Sequence, residues 1–180
     1  MITIDLLSLI ESLRSSVSKN ALICLNEFII ALGKQVDPEM EVILEKLMKK
    51  SADTNVFISS EVQKCLKNLS IYATPSKIIE KLMAYKESKN FSIKDAFITT
   101  LLNMKDEEKI RSKEFGKLAE AMTLFLNEGQ LDLRAKAKTG IIDICKNLGD
   151  WYRMLRGKVS SGAFKLICDL MTKNPSNSVA

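Results

Sequence analysis

The 180-residue chain contains no histidine. That removes the commonest general base and the commonest zinc ligand, and with them any Ser/His or Cys/His nucleophile pair. Proline (3) and glycine (7) are scarce and sit mostly at plausible element boundaries, which favours long helices over strands and tight turns. Aromatics make up only 6% of residues, so aliphatic side chains must fill the core. The four cysteines, Cys24, Cys65, Cys145 and Cys168, form no C-x-x-C pair, and each falls in an apolar helical pattern where cysteine acts as a small buried hydrophobe. No apolar run approaches the roughly 18 residues that a membrane span needs. Met1-Ile2-Thr3-Ile4-Asp5 lacks the basic opening of a secretory signal. A reducing, cytoplasmic setting follows as the expectation. Gly-rich phosphate loops, metal-ligand spacings and nucleophile elbows are also missing. The chain therefore reads as non-catalytic, with no cofactor and no metal.

What is present is a helical period. Hydrophobic residues reach 46%, enough for a continuous core in about one domain. The 27 bases against 22 acids leave a formal charge of +5. That mild excess suits an acidic partner surface, but it lacks the dense basic face with stacking aromatics of a nucleic-acid binder. Apolar spacing of three and four predicts helices at 3–13, 15–33, 38–50, 55–71, 75–87, 91–104, 106–127, 131–147, 150–156 and 158–173, with a polar tail from 174 to 180. Leu6, Leu7, Leu9, Ile10 and Leu13 form the first stripe. Asp37-Pro38 and Thr74-Pro75 read as helix starts, each a capping side chain followed by proline at the first helical position.

Those two starts are 37 positions apart, and a repeat follows from them. Val17, Ile58, Ile93, Leu133 and Val159 stand in one column. Four positions on come Ala21, Val62, Phe97, Ala137 and Ala163; eight on, Leu25, Leu66, Leu101, Ile141 and Ile167; eleven on, Phe28, Leu69, Met104, Ile144 and Leu170. Offsets of four, eight and eleven trace one helix face. The copies are 41, 35, 40 and 26 positions apart, close to the period of HEAT repeats until the last, shortened unit. The predicted fold is an all-α superhelix, a HEAT-repeat solenoid of about five helical hairpins in a single domain over 1–173. Trp151-Tyr152 is expected to cover the open end of its core.

Two stretches carry a family resemblance. Leu13-Arg14-Ser15-Ser16-Val17-Ser18-Lys19-Asn20-Ala21-Leu22 resembles the Leu-Arg-Ser-x-Val-x-(basic)-x-Ala segment of TOG domains of the CLASP and crescerin type. Ala52-Asp53-Thr54-Asn55-Val56-Phe57-Ile58 resembles the turn of the following repeat in crescerin-like ciliary proteins. The specific similarity covers roughly residues 9–70. The resemblance implies a domain that binds αβ-tubulin or microtubules, in the cytoplasmic cytoskeleton or a cilium or flagellum; a monomer is the expected state. It implies contact through the turns between the first and second helix of each repeat, against tubulin's acidic surface. A solenoid sets such turns in a row. Here the row would carry Arg14, Lys19, Asn55, Phe57, Lys89, Lys94, Arg134 and Lys136. Phe57 is read either as an apolar contact or as a residue that packs the turn. A generic HEAT scaffold for a non-tubulin partner is the competing expectation.

Overall fold

The computed structural model describes residues 2–104, 112–148 and 150–174. The described residues form ten α-helices and two 3-10 turns and no strand. Helices α1 (Ile2–Ile10), α2 (Ser15–Leu32), α3 (Met40–Lys50), α4 (Val56–Tyr72), α5 (Pro75–Leu82) and α6 (Phe91–Asn103) lie in one compact unit, Met1–Asn103. Helices α7 (Ser112–Thr123), α8 (Leu131–Leu148), α9 (Trp151–Leu155) and α10 (Ser161–Lys173) lie in a second, Met104–Ala180. The expected helix at 106–127 appears as α7, with residues 106–111 outside the described residues. Past Thr123 the backbone tightens into i→i−3 bonds from Leu124, Phe125 and Leu126, so the helix stops short of 127. All but the first residue of the polar tail also lie outside the described residues.

In the first unit, hairpins α1–α2, α3–α4 and α5–α6 stack so that α4 packs between α2 and α6. In the second, α7 pairs with α8, and both α9 and α10 pack on that pair. The column arithmetic explains the core. Every residue at the four- and eight-position offsets is buried in all five copies, from Ala21 and Leu25 to Ala163 and Ile167. Full burial of each leucine or isoleucine contributes roughly 1.5–3 kcal/mol.

One offset shows how neighbouring repeats approach. Seven positions past the column head, Cys65, Thr100 and Gly140 are buried. The Cys65 thiol donates to the Leu22 carbonyl of α2 at 3.3 Å, and burial pushes its pKa up to about 12. Burial likewise pushes the Cys145 thiol up to about 12. Cys24 holds the same offset on α2 and is exposed, as are Ile23 and Ile30. It is therefore not the core residue that its apolar setting predicts, because the solvent face of α2 is unusually apolar. That face also alters the reading of membrane spans. With the 3-10 turn Gly33–Val36, α2 forms a 22-residue helical segment, Ser15–Val36, of mean hydropathy 1.2. It meets the length and composition of a span, where the sequence alone suggested none. Here its inner face packs on α1 and α4: Ser18 Oγ donates to the Ile10 carbonyl at 2.7 Å, and Asn68 Nδ2 to Asn26 Oδ1 at 2.8 Å.

Asp37 is not the helix cap that its place before Pro38 suggests. Helix α3 starts at Met40, and no side chain caps it. The Asp37 carboxylate instead accepts from the amide of Thr74 at 2.8 Å and from the Thr74 hydroxyl, at the entrance of α5. The two start signals, 37 residues apart in sequence, thus meet in space. Burial raises the Asp37 pKa, but the Thr74 hydroxyl and amide and the Lys77 and Lys34 charges outweigh it, so the carboxyl lies below its ordinary value. A carboxyl with a lowered folded pKa contributes stability above its unfolded pKa, and that contribution is lost as pH falls through the folded value. Acidification from neutral pH to below about 4 should therefore narrow the stability gap between wild type and Asp37→Asn. Urea midpoints of the two proteins across that range measure it.

Candidate functional site

The three turns between first and second helices in the first unit share one construction. In each, a Ser or Asp side chain accepts the backbone N–H two residues on: Ser12 from Arg14 (3.3 Å), Asp53 from Asn55 (2.9 Å) and Ser88 from Asn90 (3.3 Å). The second helix starts immediately after. These short Asx- and Ser-turns bend the chain at a fixed point without proline or glycine. The acceptors are 41 and 35 positions apart, the same steps as the core columns. In the middle turn, the Lys50 ammonium at 2.8 Å and the Asn55 amide hold the Asp53 carboxyl below its ordinary range, despite partial burial.

The residue after each bend takes the N-cap place, and here the first turn differs. Asn55 Oδ1 accepts from Phe57 N at 3.0 Å, and Asn90 Oδ1 accepts from Ser92 N at 2.9 Å. Arg14 has nearly the same backbone as Asn55 (φ −82°, ψ 109° against φ −77°, ψ 111°) but no side-chain cap. An arginine at this position forgoes the cap that its counterparts make. Arg14→Asn should raise stability by about 1 kcal/mol, which thermal unfolding would detect as a rise of roughly 2–4 °C.

The structure brings three of the predicted residues together. A depression of about 190 Å³ opens between the first two turns, lined by Ser15, Ser16, Lys19, Asn55, Phe57 and Ile58. The Lys19 ammonium lies 5.4 Å from the centre of the Phe57 ring, a cation–π approach, and Phe57 is 69% exposed. Arg14 stands exposed at the α2 end of this depression, and Lys89 is exposed on the third turn. Neither Arg14, Lys19 nor Lys89 forms an ion pair with any described residue. Seven other lysines of the first unit, Lys46, Lys49, Lys50, Lys64, Lys77, Lys81 and Lys86, each face a carboxylate. Lys94 and Lys136 are half-buried and engaged in other interactions. Arg134 is folded back on its own turn, where its guanidinium donates to the carbonyls of Glu128 and Gly129. Arg134 and Lys136 belong to the second unit, the other six to the first.

Two exposed apolar residues escape the sequence reading. Leu13 is fully exposed, beyond the end of α1 rather than on its core stripe, and Val56 is 76% exposed at the start of α4. Their signal is the turn register itself: Leu13 follows a Ser-turn acceptor by one residue, past the last core position, Ile10.

A family model described as CLASP N terminal matches residues 3–151. The chain belongs to the CLASP N-terminal family. Among curated relatives of this CLASP-type domain, the mouse TOG array regulator of axonemal microtubules protein 1 is 32% identical over 74 residues, 41% of this chain and 4% of that one. The Crescerin-like protein che-12 of Caenorhabditis elegans is 24% identical over 177 residues, 94% of this chain and 14% of that one. The chain thus spans a small fraction of the curated relatives it matches. Two solved structures share the fold. One is from work titled "Crescerin uses a TOG domain array to regulate microtubules in the primary cilium" (TM-score 0.69, 17% identity, 93% of this chain and 72% of that one). The other is the MAST/Orbit N-terminal domain (TM-score 0.67, 16% identity, 96% and 79%). This CLASP-family chain is a TOG-like, HEAT-type helical repeat related to microtubule regulators.

Proposed function

We propose that this chain is a non-catalytic, monomeric tubulin-binding domain that docks through its turn edge and regulates microtubules in the cytoplasm or a cilium. The observation that carries the reading is the depression between the first two turns, where Lys19 lies over the exposed Phe57 ring beside Arg14. Seven lysines of the first unit face a carboxylate, whereas Arg14, Lys19 and Lys89, on or beside the turns, have no ion pair among the described residues, as is also true there of Lys34 and Lys67. An unmatched base next to an exposed Leu13, Val56 or Phe57 offers both halves of a protein interface, an apolar centre and a charged rim. The missing cap at Arg14 supports the same reading, because it leaves a stability gain unused where a charge is wanted. The Arg134 guanidinium serves its own turn, so its part is to hold the α7–α8 bend in shape. Co-elution of the purified chain with soluble αβ-tubulin on size exclusion, weakened by added salt, is the expected result. Separate elution at both low and moderate salt would reject the reading for free tubulin.

A further inference from the structure

The last helical hairpin gathers charge and aromatic rings. Residues 151–173 hold five bases, Arg153, Arg156, Lys158, Lys165 and Lys173, against one acid, Asp169. This hairpin therefore carries +4 of the chain's formal +5. All of it but Trp151 lies beyond the family match, so the family does not account for this charge.

The aromatic rings meet edge to face. Tyr152 lies 5.7 Å from Trp151 and 5.2 Å from Phe164 between ring centres, and it remains 48% exposed. The Arg156 guanidinium sits 6.0 Å from the centre of the Tyr152 ring. Four and seven residues past Phe164 on α10, Cys168 and Met171 are half-buried on the same helix face. The core side of α10 is separate and fully used: Ala163, Ile167 and Leu170 are buried. Tyr152, Phe164, Cys168 and Met171 thus make an outer stripe that is neither core nor polar, beside exposed Arg153, Arg156 and Lys165.

We infer that α9 and α10 form a docking surface for an acidic peptide segment, rich in glutamate or aspartate and carrying an apolar anchor. Charge complementarity selects the acid: the hairpin's five bases outnumber Asp169 within it and Asp150 and Glu120 at its edge, and Arg153, Arg156 and Lys165 are exposed. The half-exposed rings select the anchor: aromatic side chains give large contact area at small entropic cost, and they recur as binding hot spots. Arg156, held over Tyr152, is pre-oriented at the rim, which reduces the ordering cost of an ion pair there. Single-stranded nucleic acid fits less well. Bases stack on open ring faces, and here Arg156 lies over Tyr152 while the three rings turn edges to one another. None of its residues belongs to the first-unit turns of the proposed tubulin contact.

Trp151 is the only tryptophan, so its fluorescence reports on this cluster alone. The full chain is titrated with a short polyglutamate peptide bearing one central phenylalanine, then with the all-glutamate peptide and with oligouridine. The expected result is a saturable change in Trp151 emission, weakened by salt, with the phenylalanine peptide the tightest ligand. The double variant Arg153→Glu/Arg156→Glu, on exposed side chains, should lower that affinity at least about tenfold. Lys34→Glu/Lys67→Glu, on exposed bases of the first unit, should leave it unchanged. The inference is overturned by no emission change at low salt, by equal binding of the all-glutamate peptide, by tighter binding of oligouridine, or by equal losses in the two double variants.

Discussion

Reversing Arg14, Lys19 and Lys89 to glutamate together is expected to weaken αβ-tubulin binding at least about a hundredfold and to abolish co-elution at moderate salt. Each change turns an attraction toward an acidic surface into a repulsion, so its effect is roughly twice that of removing the charge. None of the three bases has a described carboxylate partner that would be left unpaired within the domain. The helix dipole favours folding of the variant, since glutamate at position 14 stands at the positive end of α2. A melting temperature near wild type alongside lost binding assigns the effect to the edge. The same variant binding tubulin undiminished would reject the edge as the contact. Reversal of Lys46, Lys49 and Lys81, whose charges already face Glu11, Glu45 and Glu41, serves as the matched control. It should weaken binding far less, because those charges are already compensated.

Phe97→Ala should destabilise the chain by about 3–5 kcal/mol, the largest loss expected from any single core substitution here. Phe97 is fully buried in α6, at the four-position offset where the other copies carry alanine or valine. The third repeat thus places its bulkiest side chain where its neighbours place their smallest. Truncation leaves a void that helices packed at their backbones cannot close, so a cavity penalty adds to the lost transfer energy. Thermal unfolding should show a fall of roughly 10 °C, from about 2–4 °C per kcal/mol in a chain of this size. A fall of only a degree or two would mean that the third repeat collapses around the deletion and that the alanine of the other copies fits it equally well.

Much of the fold was legible because it depends on periodicity. The column running through Val17, Ile58, Ile93, Leu133 and Val159 placed the core face of every second helix, and the four- and eight-position offsets are buried throughout. Helix boundaries lay close to those expected from capping residues and apolar spacing. The errors share one cause. Leu13, Cys24 and Asp37 each satisfy a local pattern, as an apolar stripe, a buried thiol and a helix cap. In each case a contact, or the lack of one, from another part of the chain decided otherwise. The eight residues proposed for the edge were legible as types and positions but not as partners. Nothing in the sequence distinguishes Lys89, exposed and unmatched, from Lys46, held by Glu11 thirty-five positions away.

The amino-acid sequence by itself determined the helices, the repeat and the buried face of each second helix. Those depend on spacing along one helix, which a residue's neighbours at three and four positions specify. The family resemblance was also carried by local stretches. Only the tertiary structure decided that Lys46 meets Glu11, Lys77 meets Asp37 and Lys81 meets Glu41, which apolar residues stay in water, and that Asp37 reaches Thr74 rather than its own helix. Those pairings join residues 35 to 40 positions apart in sequence. Helix packing sets such pairings, and the period of a single helix carries no record of them.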